Sequence, residues 1–306
     1  VWVAADALEH TSGPFGGHLF DEDGSKVELG GYRVDAVTEV AVDRLRRLPA
    51  DRPFLMWVSY LEPHHQNDRF RIVGPRGGAA EFEDFEVPGD LAGRPGDWRW
   101  NYAAYLAACR RIDAGLGRLL DALRADGRLD DTVVVFTSDH GTHFRTRNAE
   151  YKRSPHDASV RVPLVVAGPG FGGGAVRDDL VTHLDLVPSL VRAAGGGTPE
   201  LPGAPLQGSV DRDDVLVQIS ESTVGRALRT RTHTLGVATT SRRPFVGHRA
   251  PSTARYRVTH LYDNVADPHQ RRNLAGDSGA APVRHELVER LRDRIEEVEG
   301  TRPVVR

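Results

Sequence analysis

The sequence is poor in several things, and each scarcity excludes something. One cysteine, Cys109, stands among 306 residues. An internal disulfide framework and a multi-cysteine metal site are therefore excluded. No apolar run approaches the ~20 residues that span a bilayer, so no membrane span is expected. Neither charge sign dominates: the net charge is −3, which argues against a general nucleic-acid or membrane-surface binder. Lysine is nearly missing. Lys26 and Lys152 are the only two among 40 basic side chains, the rest being arginine. The chain opens on Val1-Trp-Val-Ala-Ala-Asp6, with no initiator Met and no signal peptide. That opening reads as the middle of something, and further sequence is expected upstream.

What is present indicates an α/β protein. Val34, Val37, Ala41, Leu45 and Leu48 form a helical stripe over Tyr32–Leu48. Tyr102, Leu106, Cys109, Ile112, Leu116, Leu119, Leu120 and Leu123 form a longer one over Trp100–Asp126, ended by Gly127. Cys109 lies on that apolar face and reads as a small hydrophobe. Phe54–Tyr60, Val133–Phe136 and Val160–Ala167 read as buried strands, and Thr182–Ala194 as another helix. Strands alternating with helices predict a mostly parallel sheet sandwiched by helices. Residues 66–98, rich in Gly, Pro and charge, read as a long surface loop that lines a site. After a Gly/Pro-rich linker come short strands at 215–219, 227–237 and 256–262, a loop at 240–255, and a helix marked by Val283, Leu287, Leu291, Ile295 and Val298. The domain reading is 1–205 for the α/β part and 206–306 for a small antiparallel sheet plus helix.

The most telling stretch is Val133-Val-Val-Phe-Thr-Ser-Asp-His-Gly141. It sets an acid and an imidazole at the carboxyl end of a strand, where open α/β sheets bind ligands. Oxygen and nitrogen together suit a divalent cation at least as well as acid/base work, although Asp and Gly are also ordinary turn residues. Other motifs stand around it in order: Leu61-Glu-Pro-His-His65, Glu150-Tyr-Lys-Arg153, Ser159-Val-Arg-Val-Pro163, Gly168-Pro-Gly170, His183-Leu-Asp-Leu-Val-Pro188, and Leu261-Tyr-Asp-Asn-Val-Ala-Asp-Pro-His-Gln-Arg-Arg-Asn-Leu274.

This series, from about Gly31 to about Leu274, resembles the sulfatase family of the alkaline-phosphatase superfamily. The resemblance implies that Asp139 and His140 are ligands of a divalent metal, most often calcium, with magnesium or manganese as alternatives. It implies that His64, after Pro63, and Lys152, 13 residues past Asp139, contact the sulfate ester. Against the arginine habit of this chain, a compact ammonium at 152 favours a specific role. His65, His143, His156 and Arg161 are expected to bind substrate or to support the residues that do. Arg145 and Arg147 read as a solvated loop face. The substrate implied is a small-molecule or carbohydrate sulfate ester.

In that family the hydrated aldehyde of a formylglycine attacks sulfur, the alcohol leaves, and the sulfated hydrate collapses to sulfate. The nucleophile arises from Cys or Ser in a Cys/Ser-x-Pro/Ala-x-Arg motif. Cys109 is followed by Arg110-Arg-Ile-Asp113 and does not match; Ser154 and Ser241 fail as well. The early acidic pair and the Gly-Lys-Trp-His type segment are also lacking. The expectation is the downstream portion of a sulfatase, not catalytic alone, its nucleophile and two metal ligands lying in a missing N-terminal part. The alternatives are an inactive sulfatase-like binding or scaffold protein, and a phosphonate monoester or phosphodiester hydrolase of the same superfamily.

Overall fold

The computed structural model describes residues 2–5, 13–66, 69–197, 200–241 and 250–306. Half of the loop expected at 240–255, and parts of the stretches at 66–98 and 195–205, lie outside the described residues. Two compact units divide the chain: Val1–Val87 with Asp97–Thr132, and Pro88–Gly96 with Val133–Arg306.

In the first unit β1 (Val3–Ala4), β2 (His18–Asp21) and β3 (Lys26–Glu28) form an antiparallel sheet. Helix α1 (Arg33–Arg46) buries Val34, Ala41, Val42 and Leu45, much the face its periodicity predicts. Helix α2 (Trp98–Ala125) buries Trp98, Ala107, Ala108, Ile112 and Leu123. Gly115 of α2 is required by close approach: a Cβ there would stand 2.7 Å from the Thr38 hydroxyl of α1. Cys109 is half-buried, and burial pushes its thiol up to about 11, well away from thiolate chemistry.

The second unit holds β4 (Val134–Thr137), a single helical turn α3 (Asp157–Val160), β5 (Leu164–Ala167) and α4 (Leu186–Ala193). Then come β6 (Asp214–Ile219), β7 (Gly225–Thr230), β8 (His233–Thr239), β9 (Arg255–Asp263), α5 (Ala281–Glu299) and β10 (Val304–Val305). The last five strands lie in the order β10-β9-β8-β7-β6, antiparallel except for β9 with β10. Leu287, Leu291 and Ile295 of α5 are buried with Leu228, Leu235, Val237, Tyr256 and Leu261 of the sheet. The small antiparallel sheet plus helix is thus as the alternation and the final stripe predict.

The expected mostly parallel sheet does not appear among the described residues. β4 pairs only with β5, and antiparallel. Phe54–Tyr60 runs without ladder partners, and alternate residues point to solvent: Leu55 is 76% and Trp57 79% exposed. A strand is defined by its neighbours, and this one has none here, however strand-like its composition. The strand expected at Val160–Ala167 is also shorter. Its first residue, Val160, ends α3, where the Arg161 amide donates to the Asp157 carbonyl at 2.8 Å and closes a helical turn, and residues 161–163 belong to neither element.

Candidate active site

In the first unit, His64 sits in a turn of Leu61-Glu62-Pro63-His64. The Glu62–Pro63 peptide is cis, and the His64 amide donates to the Leu61 carbonyl at 3.0 Å. This turn is held from below. Glu62 is buried and accepts from Arg33 of α1 at 2.8 Å and 3.1 Å, and both side chains are at most 3% exposed. Sequence reasoning took neither residue as part of the site. The signal was present as a glutamate inside an apolar context, next to the histidines. His64 is half-buried and His65 buried.

In the second unit, β4 delivers Ser138, Asp139, His140 and Gly141. The carboxylate of Asp139 is exposed, and its Oδ1 accepts from the His140 amide at 2.9 Å. The His140 imidazole is fixed by its neighbour. Nδ1 lies 2.8 Å from the Gly141 carbonyl, and a carbonyl can only accept, so Nδ1 carries the proton. Nε2 then faces Asp139 Oδ2 at 3.3 Å. A proton on Nε2 or a cation shared by Nε2 and Oδ2 makes that approach favourable. The carbonyl–Nδ1 contact is also how metal-ligating histidines are commonly oriented. The pair therefore fits a divalent cation as two of its ligands. Among the described residues no group of three or more His, Cys, Asp or Glu could hold a metal, so the remaining positions of a six- to eight-coordinate ion are not filled by these side chains.

The strand end is braced. His183 Nε2 reaches the Ser138 carbonyl at 2.8 Å. Two residues on, Asp185 accepts from the Thr182 and Ala204 amides and from both terminal nitrogens of Arg212. Burial pushes the Asp185 carboxyl up, but Arg212 and the two amides outweigh it and hold it below the usual carboxylate range. Gly141 is the other brace. Its amide donates to the Ser159 carbonyl at 2.8 Å, and a Cβ at 141 would stand 2.2 Å from the Ala158 carbonyl oxygen. Gly141→Ala should cost about 2 kcal/mol by overpacking and displace Asp139 and His140. A urea melt of the variant within 0.5 kcal/mol of the parent, roughly the range of an innocuous surface change, would refute it.

Lys152 is half-buried on the loop between His143 and Ser154. The His143 amide donates to the Tyr151 carbonyl at 2.8 Å and the Arg145 guanidinium lies over the Tyr151 ring at 4.7 Å. Phe144 and Arg145 both take positive φ, 48° and 59°, a conformation rare for side-chain-bearing residues and usual in loops kept for function. His143 is fully buried. His156 is buried as well, its Nδ1 3.0 Å from Ser154 Oγ and its Nε2 3.0 Å from Tyr262 Oη. Arg147 does not form a solvated loop face: it donates to the Gln270 and His269 carbonyls at 2.6 Å and 2.7 Å. The Arg161 side chain is exposed.

The closing motif explains itself here. Gln270, buried at φ 50°, accepts from the Asp157 amide at 2.7 Å and donates to Thr234 and Asn264. Asp157 pairs with Arg229 of β7 at 2.9 Å. Gly236 of β8 leaves room for Pro155, which a Cβ would meet at 2.9 Å. The C-terminal sheet therefore holds the Lys152 loop and α3 from behind.

A family model for sulfatases matches residues 8–196, well over half of the chain. This chain belongs to the sulfatase family. An uncharacterized sulfatase, YidJ, of Escherichia coli K12 is 27% identical over 293 residues, 86% of this chain and 55% of that protein. The chain thus spans about half the length of that relative. In fold it is similar to BT4656, solved in complex with its substrate D-glucosamine-2-N,6-O-disulfate, at a TM-score of 0.77, 19% identity, and 99% and 77% coverage of the two chains. It is also similar to a phosphonate monoester hydrolase of Silicibacter pomeroyi, at 0.63, 20% identity, and 96% and 66% coverage. These likenesses assign the chain the alkaline-phosphatase-like α/β fold of sulfatases. Among the described residues no helix is long and apolar enough to cross a membrane.

Proposed function

We propose that this chain is the downstream part of a sulfuric ester hydrolase acting on a carbohydrate or other small sulfate ester. Asp139 and His140 supply two ligands to a divalent cation, calcium first, magnesium or manganese otherwise. The observation that carries the reading is the His140 imidazole, tied at Nδ1 by Gly141 and aimed at Nε2 toward Asp139, in a chain of this family. When bound, the cation supplies charge neutralisation at the oxygens of the reacting group. Lys152 donates to a non-bridging sulfate oxygen. The formylglycine nucleophile, the remaining ligands and the partner strands of a mostly parallel sheet come from polypeptide outside these 306 residues. The unpaired Phe54–Tyr60 segment, with Leu55 and Trp57 exposed, supports that last point.

The protein expressed from its complete gene is expected to hydrolyse an aryl sulfate in preference to an aryl phosphonate monoester. The Silicibacter pomeroyi likeness keeps the second activity worth measuring, and preference for the phosphonate overturns the sulfatase reading. In the same protein Asp139→Ala should lose its bound divalent metal by elemental analysis, and unchanged metal content contradicts the ligand role. Lys152→Ala should lower kcat/KM by about 10²–10³, the scale of one removed donor to a developing charge. A change under threefold would remove Lys152 from the site.

A further inference from the structure

Four buried side chains of the second unit form one hydrogen-bonded chain behind the Lys152 loop. Ser159 Oγ lies 2.9 Å from Ser154 Oγ, and Ser154 Oγ lies 3.0 Å from His156 Nδ1. His156 Nε2 lies 3.0 Å from Tyr262 Oη on β9. None of the four residues is more than 5% exposed. Burial lowers the His156 pKa to about 2 and so keeps the ring neutral. A neutral imidazole donates at one nitrogen and accepts at the other, and each nitrogen here has a hydroxyl that can do the converse.

Both ends of this chain reach the site. The Ser154 amide donates to the Lys152 carbonyl at 2.9 Å, so one tight turn joins the lysine to the Ser154 hydroxyl. The Ser159 carbonyl accepts from the Gly141 amide at 2.8 Å, two residues past Asp139. Other ties on the Lys152 loop lie nearer the surface. Arg153 pairs with Glu150 and Glu221, and all three side chains are at least 29% exposed. Ion pairs open to water hold little. A buried hydroxyl that loses its partner has no water to replace it. The buried chain therefore decides where the loop sits.

We infer that His156 is a positioning residue, whose Nδ1 bond to Ser154 fixes Lys152 relative to the Asp139–His140 strand end. The inference rests on the proposed sulfatase reading and adds to it a residue that acts through Lys152. The strand end has braces of its own in His183 and Asp185. Loss of the His156 bond should therefore move the lysine and leave the metal pair in place.

Lys26 and Lys152 are the only lysines of the 306-residue chain. Reductive ¹³C-methylation thus gives one NMR signal for each besides the amino terminus, and Lys26→Arg tells them apart. Lys26 is exposed on β3 and serves as the internal control. His156→Gln puts its amide near the place of Nε2 and loses Ser154; His156→Asn puts its amide near the place of Nδ1 and loses Tyr262. His156→Gln should move the Lys152 signal by more than its linewidth, and His156→Asn should not. The Lys26 signal should stay fixed in both. In the complete gene product His156→Gln should lower kcat/KM for an aryl sulfate by about 10²-fold, the scale of a roughly 1 Å misplacement. Its divalent metal should be retained. Added to Lys152→Ala it should cost nothing further, because it acts through that lysine. A merely structural histidine would lower the melting temperature and leave the Lys152 signal and kcat/KM as in the parent. That result, additive losses with Lys152→Ala, or equal damage in His156→Asn and His156→Gln overturns the inference, and misfolding of both counts as equal damage. A displaced Lys152 signal in a protein whose parent turns over no aryl sulfate refutes the sulfatase reading alone. Turnover indifferent to His156→Gln refutes the inference alone.

Discussion

Glu62→Ala should destabilise the chain by about 3–5 kcal/mol, the cost of stranding one member of a buried ion pair. Arg33 and Glu62 are both sealed from water and lie 2.8 Å apart. Removing the carboxylate takes away the counter-charge that Glu62 supplies to the buried guanidinium. At about 2–4 °C per kcal/mol for a body of this size, the melting temperature should fall by roughly 10 °C. The turn above it should also loosen, because Glu62 is followed directly by Pro63 and His64, whose amide closes onto Leu61. The double variant Glu62→Ala/Arg33→Met should recover part of the loss, since it removes the stranded charge. A Glu62→Ala melt within 1 kcal/mol of the parent, or no recovery in the double variant, would show that the pair does not hold this turn.

The second large effect is on acid. Three histidines in the second unit stay neutral when folded: His143 and His260 titrate down at about 4, and His156 at about 2. Burial is the first cause for each, and the Arg147 charge adds to it in all three. An unfolded imidazole takes up its proton near 6.5, whereas these do not. Below 6.5 the unfolded state thus binds more protons, and stability falls as the pH drops toward the folded values. Each histidine can contribute up to roughly 1.4 kcal/mol per pH unit, so by pH 5 the three can remove roughly 6 kcal/mol. That is comparable with the whole stability of an ordinary domain. Carboxylates with ordinary pKa values have scarcely begun to titrate in that window. Urea midpoints measured from pH 7 to pH 5 should fall steeply, and more gently in His260→Phe. A flat profile over that range would mean the imidazoles are not held neutral.

Both effects concern residues whose importance was only partly legible. The α1 and α2 helices, the C-terminal strands and α5 could be read from periodicity, because each buries one face against a neighbour close in sequence or in the same sheet. The Asp139–His140 pair stands out in the sequence because an apolar strand runs straight into it, and its role as a pair of metal ligands is the proposal made above. The closing motif around Gln270 was legible as a pattern but not as a purpose. Its work is to accept the Asp157 amide 113 residues away, and no local rule reaches that far. Arg147 reads as a loop charge for the same reason: its acceptors are backbone carbonyls brought up by folding.

From the sequence alone came the α/β class, the positions of the helices, and the chemical types set at 64, 139, 140 and 152. These are local matters, governed by periodicity, by turn chemistry and by which side chains can ligate or donate. The tertiary structure decided the rest. Among the described residues it left Phe54–Tyr60 without ladder partners, and it buried Glu62 on Arg33 and aimed His140 at Asp139. Each of these depends on what stands opposite a residue in space, and a chain written in one dimension does not carry its opposite numbers.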